Sequence, residues 1–519
     1  MVLLIHPPVM KPCEPPGGLL HLAGALEAAG VPFRVLDASL EGILFLLLSS
    51  DGHDKNDTWT RRAISHRDRH LCALHAMDTY GDLPRYRRAV SDLGRILKKR
   101  SAPYRATVGL ADYRDDLYRA VSVADLLIAA ENPEKNPFFP YYERRLEQIF
   151  GEREPEIIGV SLNYLSQAIC SFALMGFIKM RLPRVRLVLG GSLVTSWHRR
   201  LGKKNPFAGL VDDLVYGPGE EVLLEMVGKK GKGQIISFPY EAFPLRDYLS
   251  PCLVMPIILS RGCYYGRCMF CPEREEKMPY RPLPFPVVEE RLKWACSGEK
   301  LVHFLDCTLS PRLLSYLVDL SPGVPWYGFA RFTEELTDES FTRALRKSGC
   351  VMLKLGVESG SQMVLDRMEK GIDLKVVSQA LKSLTRAGIA TYVYLLFGTP
   401  EEGETEARET LSFIAEHANF VSFLNLAVFN LPVGSRPDLI CRPFYPGDLS
   451  LYEDFEHPKG WSRRRVRSFL EQEFKRQAPI RQILLRTPPV FTSNHAPFFH
   501  LRAMEGAHKG MNSFVIQAS

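Results

Sequence analysis

The stretch Pro256-Ile-Ile-Leu-Ser260-Arg-Gly-Cys263-Tyr-Tyr-Gly-Arg-Cys268-Met-Phe-Cys271-Pro decides the fold of this chain. An apolar run ends in a loop that carries three cysteines within nine residues. Thiolates so crowded can converge on one inorganic centre. A structural zinc ion asks for four protein ligands. No fourth Cys or His follows nearby, because Cys252 precedes the strand and Cys296 falls at the end of a later helix. A cubane [4Fe–4S] cluster normally takes four thiolates, so three leave one iron open. An open iron can bind a substrate's amino and carboxylate groups. A zinc knuckle or chance clustering is the bland alternative. Cys13, Cys72, Cys170, Cys252, Cys296, Cys307, Cys350 and Cys441 are scattered singly, too sparse for a disulfide scaffold. Cys307 reads as a core thiol rather than a ligand.

Outward from the loop, strand and helix patterns alternate. Strands are expected at 256–260, 302–305, 326–330, 351–357, 391–397 and 421–428, with helices at 287–296, 311–320, 338–347, 374–387 and 404–417. Six βα units suggest an incomplete (βα) barrel, whose active site sits at the C-terminal ends of its strands, where the cysteine loop lies. The N-terminal half alternates too: strands at 2–5, 33–36, 157–162, 185–189 and 213–216, helices at 19–29, 168–181 and 221–227. That is a doubly wound α/β domain on a parallel sheet. A mostly helical insertion at about 51–150 interrupts it. Ligands bind such sheets beyond the carboxyl ends of the strands. The loop 6–18, Ser161-Leu-Asn163, Gly190-Gly191 and Gly217-Pro-Gly219 all fall there, and the glycines let a large flat ligand approach the backbone. Residues 239–251 read as a linker. The expected division is 1–245, 246–440 and an α-rich C-terminal tail at 441–519, with Asn494, His495 and Arg502 either reaching into the barrel or packed in a surface loop.

The 519 residues and 58.8 kDa suit two to four domains. A content of 46% hydrophobic and 24% charged residues is that of a globular protein, not a disordered or fibrous one. The longest dense apolar run, 43–48, is far short of the ~20 residues that span a bilayer. The start has neither the basic n-region nor the long apolar h-region of a signal peptide, so a cytoplasmic protein is expected. The net charge is +7, and nine Lys/Arg against two Glu lie between Lys459 and Arg486. That run is either a solvated helix face or a contact surface for an acidic partner, and weakly favours an anionic small molecule or a peptide as substrate. Nothing resembles a nucleic-acid-binding motif.

A first-strand loop with three cysteines, an aromatic before the last (Phe270) and a preceding Arg-Gly resembles the radical S-adenosylmethionine (SAM) enzymes. The usual family spacing is C-x3-C-x2-C, whereas this chain has C-x4-C-x2-C. The stretches Gly356-Val-Glu358-Ser-Gly, Asp366-Arg-Met-Glu-Lys-Gly371 and Leu395-Leu-Phe-Gly398-Thr-Pro-Glu-Glu402 are similar to the family's fourth- and fifth-strand motifs, and the resemblance covers 255–430. It implies a [4Fe–4S] cluster on Cys263, Cys268 and Cys271. It also implies SAM contacts from Tyr264 or Tyr265 (Tyr265 taken here), Phe270, Asp306, Arg331, Glu358, Ser359 and Gly398. Glu358 could instead be a barrel-rim carboxylate, and Arg331 a structural ion-pair partner. The N-terminal half resembles the cobalamin-binding members, implying contacts from Pro8, Gly17, Ser161, Asn163, Gly190, Gly191, Gly217 and Glu220. The lower-ligand pattern Asp-x-His-x-x-Gly is missing from the first loop, and Asp51-Gly-His53 imitates its start in the wrong place. Cobalamin without a histidine on cobalt is therefore expected, His6 being structural and His21 no cobalt ligand. A domain that no longer binds cobalamin is the alternative. The implied activity is reductive cleavage of SAM with methylation of an unactivated carbon, fed by a flavodoxin- or ferredoxin-like one-electron reductant. Cobalamin-dependent rearrangement or ring formation, and a non-catalytic cobalamin or metal sensor, are the alternatives.

Overall fold

The computed structural model describes residues 1–49, 57–202, 204–229, 238–276, 278–295, 300–445, 447–490 and 496–498. Asp51-Gly-His53, Cys296, Asn494, His495 and Arg502 lie outside the described residues. Two parallel sheets organise the rest. The first contains β1 (Val2–His6), β2 (Phe33–Asp37), β3 (Ile157–Ser161), β4 (Arg186–Gly190) and β5 (Asp213–Leu214), in the order β2-β1-β3-β4-β5. All five residues of β1 are buried, as a strand covered on both faces must be. The strand order reverses between β1 and β3, the switch point where doubly wound sheets bind ligands.

Two helices here were not expected from the sequence. Ala38–Leu48 carries the apolar run 43–48 and is started by Asp37, whose carboxylate accepts the Leu40 N–H at 3.0 Å. Ser192–Leu201 follows β4 directly. The insertion is mostly helical, with helices at Thr58–Ser65, Arg67–His75, Leu83–Ser101, Val123–Glu131 and Phe139–Glu152 and a small ribbon pairing Ala106–Val108 with Tyr113–Asp115. It packs on the buried helix Leu165–Arg181. A Cβ at Gly176 would lie 1.8 Å from the Ala130 carbonyl oxygen, so only glycine lets these two helices touch through their backbones.

The second sheet contains β6 (Leu253–Ile257), β7 (Lys300–Leu309), β8 (Trp326–Ala330), β9 (Cys350–Glu358), β10 (Ala390–Phe397) and β11 (Phe423–Val428), all parallel and in sequential order. Helices Phe285–Ala295, Pro311–Leu320, Glu339–Lys347, Leu374–Arg386 and Glu404–Glu416 connect them. Alternate residues face two different cores. Val302, Phe304, Trp326 and Leu353 pack outward against the helices, while Tyr327, Met352, Tyr392 and Phe423 pack with the core of the N-terminal half.

The C-terminal tail is not simply α-rich. β12 (Leu431–Pro432), β13 (Cys441–Pro443) and β14 (Tyr452–Phe455) form an antiparallel sheet before the helices Arg463–Gln472 and Ala478–Arg486. Strands of two to four residues carry too few positions for an alternating pattern to register. Nor is the segment 239–251 a loose linker: Tyr240, Phe243, Tyr248 and Leu249 are buried, and the Tyr248 hydroxyl donates to Asp37 at 2.7 Å.

A buried polar chain joins the two halves. Lys11 pairs with Glu14 on the first loop, Glu14 accepts from His303 Nδ1 on β7 at 2.9 Å, and His303 Nε2 lies 2.8 Å from Lys354 Nζ on β9. Burial holds His303 at about 3, hence neutral, which fixes its tautomer: Nδ1–H donates to Glu14 and Nε2 accepts from Lys354. Burial would raise the Glu14 carboxyl, but His303 and Lys11 outweigh it and hold it below the usual range. Burial and the neighbouring Lys11 bring the Lys354 ammonium down to about 7. A lysine depressed from 10.5 to about 7 binds its proton less tightly folded than unfolded. Its burial therefore costs stability in full below pH 7, and the cost falls as pH rises through the window between those values. In Lys354→Met that cost is gone at every pH. The melting temperature of Lys354→Met relative to the wild type should accordingly be more favourable at pH 6 than at pH 9, as read by differential scanning calorimetry. A difference independent of pH would show that Lys354 is not buried as an ammonium.

Candidate active site between the two sheets

The carboxyl ends of β3, β4 and β5 and the cysteine loop face one cavity of about 400 Å³. Ser161, Asn163, Gly190, Gly191, Gly217 and Glu220 line it from the N-terminal half, and Ser260, Arg261, Gly262, Leu305 and Cys307 from the other. Six of the eight residues expected to contact a flat ligand thus meet in one place. Gly191 has φ +111°, and a Cβ there would stand 2.3 Å from the Leu162 carbonyl oxygen, so this wall must be glycine. The Asn163 amide spans the gap, donating to the Ser161 carbonyl at 3.1 Å and accepting the Ser192 N–H at 3.1 Å. The other two do not line the cavity. Pro8 is buried, and Gly17 packs so tightly on Leu305 that a Cβ would lie 2.4 Å from its side chain. His6, outside the cavity lining, is buried beside Gln167, 3.3 Å away, with its Nδ1 unpaired.

The cysteine loop leaves β6 through Ser260–Arg261, which pair with Arg281–Pro282. Asp306, at the end of β7, is fully buried and accepts the Leu259 N–H at 3.0 Å and the Ser260 hydroxyl at 2.5 Å. Burial pushes its carboxyl up to about 6, against those hydrogen bonds. Asp306 therefore pins the base of the loop and does not line the cavity. Further along, the Met269 N–H donates to the Met368 carbonyl at 3.0 Å, and the Tyr265 hydroxyl to the Glu369 carbonyl at 2.8 Å. The Arg331 guanidinium lies 3.6 Å over the Tyr265 ring and donates to Cys268 Sγ at 3.5 Å and to the Lys370 carbonyl. Arg331 makes no ion pair among the described residues. Tyr264 packs edge-on to Tyr280 and also interacts with the Arg331 side chain.

Cys263 and Cys268 both raise the Cys271 thiol electrostatically, so the three sulfurs are neighbours. Burial pushes Cys271 up to about 11 and raises Cys268 too, against the opposing charges of Lys370 and Arg331. Among the described residues no three His, Cys, Asp or Glu side chains converge closely enough to hold a single metal ion. Zinc draws thiolates to ~2.3 Å of one centre, whereas a cubane spreads its ligands over separate corners. The three thiols share one loop, with Lys370 and Arg331 beside Cys268. They are also the donor set that iron–sulfur clusters take.

On the far side of the loop, Glu358 pairs with Lys370 at 2.8 Å, and Lys370 lies 5.5 Å over the Phe270 ring. Glu358 is held at φ +66°, an uncommon conformation for a residue with a side chain. Ser359 is fully buried, within 3.2 Å of the Thr410 hydroxyl and accepting the Ser361 N–H at 3.1 Å, so it supports the strand end from below. Gly398 also needs glycine, with φ +82° and Val466 where a Cβ would project. Its N–H donates to the buried Glu402, which also accepts the Trp461 indole N–H at 3.0 Å. Burial pushes the Glu402 carboxyl up to about 8.

Three cavity features were not legible in the sequence. Cys307 is an exposed thiol on the cavity wall, not a core thiol, because β7 runs past Asp306 and carries it outward. Arg261 bonds Glu220 across the two halves, and His21 approaches the same carboxylate. Arg261 lies 41 residues from Glu220 and His21 some 200, so neither contact left a local signal. In the basic run Arg486 donates to the Ser422 carbonyl at 3.0 Å and Arg463 to Asn430 at 2.8 Å, while Arg464, Arg465, Arg467, Arg476 and Arg481 are exposed.

Comparison with known proteins agrees with this geometry. The chain is 23% identical over 274 residues to an anaerobic magnesium-protoporphyrin IX monomethyl ester cyclase of Rubrivivax gelatinosus, 44% of this chain and 48% of that one. It is 26% identical over 174 residues to a bacteriochlorophyllide d C-12(1)-methyltransferase of Chlorobaculum tepidum, 32% and 38% of the two chains. This chain thus spans about half the length or less of these two relatives. The radical S-adenosylmethionine methyltransferase TsrM of Kitasatospora setae, solved with cobalamin and a [4Fe-4S] cluster bound, aligns over 86% of this chain and 83% of its own. The TM-score is 0.52 at 15% identity, a likeness of fold. No described helix is long and apolar enough to cross a membrane. Residues 257–414, from the end of β6 through most of the helix after β10, match the Radical SAM superfamily.

Proposed function

We propose that this chain is a cobalamin-dependent radical SAM methyltransferase acting on an unactivated carbon. The observation that carries the reading is the shared cavity, where the carboxyl ends of one parallel sheet face Ser260, Arg261 and Gly262, the start of the cysteine loop on the other. When bound, the cluster supplies the electron that splits SAM and cobalamin carries the methyl group. Cys263, Cys268 and Cys271 would hold the cluster. Ser161, Asn163, Gly190, Gly191, Gly217 and Glu220 would hold cobalamin, with no histidine on cobalt.

The chain's own residues position these groups. Arg331 and Tyr265 fix the loop, and Glu358 and Lys370 offer an opposite-charge pair at the strand end for the ribose or methionine end of SAM. Gly398 leaves the backbone of β10 open to the adenine, while Asp306 and Ser359 act through the segments they brace. Stacking one sheet's carboxyl ends on the other's excludes water from a reaction that water would quench. The halves would divide near 245 and 440, and an acidic flavodoxin- or ferredoxin-like protein would deliver the electron in the cytoplasm. The likeness to a cyclase favours radical ring formation as the second reading, and product mass decides: methylation adds one CH2, ring closure by oxidation removes two hydrogens.

Two outcomes test this. Anaerobic full-length protein should contain iron and sulfide, bind hydroxocobalamin, and release 5′-deoxyadenosine from SAM. Cys268→Ala should lose the cluster and that release while still binding hydroxocobalamin. Release unchanged in Cys268→Ala, or no release by the wild type with any reductant, would end the radical reading. Arg331→Met, which removes the guanidinium beside Cys268, should lower SAM cleavage by about 10–100-fold, with a changed cluster signal in electron paramagnetic resonance. Full activity with an unchanged spectrum would show that Arg331 only packs.

A further inference from the structure

Inside the cavity, one polar atom has no partner. His21, on the helix Gly17–Ala28, is only 5% exposed, and its Nδ1 makes no hydrogen bond. The nearest candidate, Glu220 Oε1, stands 3.8 Å away, too far for a hydrogen bond. The ring is held edge-on to Phe238, 5.1 Å between centroids, so it cannot swing to another acceptor without losing that packing. Burial, with Arg291 and Arg261 nearby, keeps the imidazole neutral, at about 3. A neutral ring nitrogen, buried and unpaired on a cavity wall, is a site for a hydrogen-bonding group of whatever fills the cavity.

Glu220 has a second engagement. Arg261 holds both of its carboxylate oxygens, across the boundary between the halves. Arg261 stands two residues before Cys263, and the residue between them cannot give way. Gly262 sits at φ +71°, where an added Cβ would lie 2.9 Å from the carbonyl oxygens of Met278 and Pro279. The link from Glu220 through Arg261 to the first cysteine therefore runs without slack, and His21 stands on the same wall, 3.8 Å from that carboxylate. Since Glu220 and Arg261 neutralise each other, the wall suits a neutral amide or hydroxyl rather than an anion.

We propose that Glu220 couples the cavity to the cysteine loop, and that His21 Nδ1 receives an amide or hydroxyl group at the periphery of the corrinoid. This inference rests on the proposed cobalamin site and adds its regulation. Filling the cavity fixes Glu220 and, through Arg261, the start of the loop. An assembled loop in turn fixes Glu220 for the ligand. Such coupling is reciprocal by linkage. Glu220 is a positioning residue here, since it acts on the cluster ligands only through Arg261.

The test titrates hydroxocobalamin by absorbance into full-length protein, with and without its reconstituted cluster. The wild type should bind it about 10-fold more tightly with the cluster in place, within the usual range for coupled sites. In Glu220→Gln the two affinities should agree within about twofold, iron content and circular dichroism being those of the wild type. His21→Phe, which keeps the contact with Phe238, should weaken binding in both forms and leave iron content unchanged. Equal wild-type affinities with and without the cluster would overturn the coupling while leaving the cobalamin site intact. So would a ratio that survives in Glu220→Gln. If Glu220→Gln does not fold, the wild-type ratio alone decides. No binding by the wild type in either state would remove the cobalamin reading and the coupling with it.

Discussion

Lys11, Glu14, His303 and Lys354 form a continuous buried chain from the first loop of one sheet to the inner wall of the other, and the relative placement of the two halves hangs on it. Buried charges of this kind add little net stability, since desolvation offsets most of the attraction. Their effect is on geometry. A shifted interface would strand Glu14 or Lys354 without its partner, and an unpaired buried charge costs about 3–5 kcal/mol. The ring of His303 stacks on Tyr327, 4.4 Å between centroids, and Lys354 lies 4.3 Å over Phe329, so aromatic faces hold the polar groups in register. With the first loop locked onto the inner face of the second sheet, the two sheets meet around the shared cavity.

The strand series was legible because each strand of both sheets, apart from the two-residue β5, carries a run of apolar residues long enough to read, and glycines punctuate the turns. Five of the six strands of the second sheet lie where the pattern put them, and the first, expected at 256–260, is displaced to Leu253–Ile257. The small sheet β12–β14 was not legible, its strands being too short to show a period. Ala38–Leu48 was hidden because an apolar run beside a strand can be either strand or helix, and only the cap at Asp37 distinguishes them. The site divided along the same line. Residues that work through backbone and spacing, such as Gly190, Gly191 and the three cysteines, announced themselves locally. Contacts between distant segments, such as Arg261 with Glu220 or Lys370 with Glu358, had no signature until the chain was folded.

Folding also separated two kinds of residue that a family resemblance lumps together. Asp306 and Ser359 stand at strand ends, where ligand contacts are expected, yet each has its polar atoms committed to neighbouring chain. Glu358, Lys370 and Arg331 keep charge at the loop. The division is one of charge rather than of burial, since Lys370 and Arg331 are buried too: the Ser359 hydroxyl and the Asp306 carboxyl are satisfied by the protein itself, whereas Lys370 and Arg331 keep positive charge beside Cys268.

The longer spacing between the first two cysteines has a local physical account. The extra residue lies in Tyr264-Tyr265-Gly266-Arg267, where Gly266 adopts φ +62°. A Cβ there would meet nothing nearer than the Cys263 carbonyl oxygen at 3.5 Å, so backbone conformation rather than space calls for glycine. The left-handed turn absorbs the added length before Cys268. It also gives the two tyrosines different contacts, Tyr264 edge-on to Tyr280 with its hydroxyl at Arg331, and Tyr265 flat under the same guanidinium. Arg331 then reaches Cys268 with Tyr265 as its platform, and Gly371 is open enough to admit the Tyr265 hydroxyl, which would lie 2.1 Å from a Cβ at that position. The insertion and the stack on Arg331 thus depend on each other: the longer arc supplies the tyrosine that holds the cation against the second cysteine, and that cation keeps the longer arc closed.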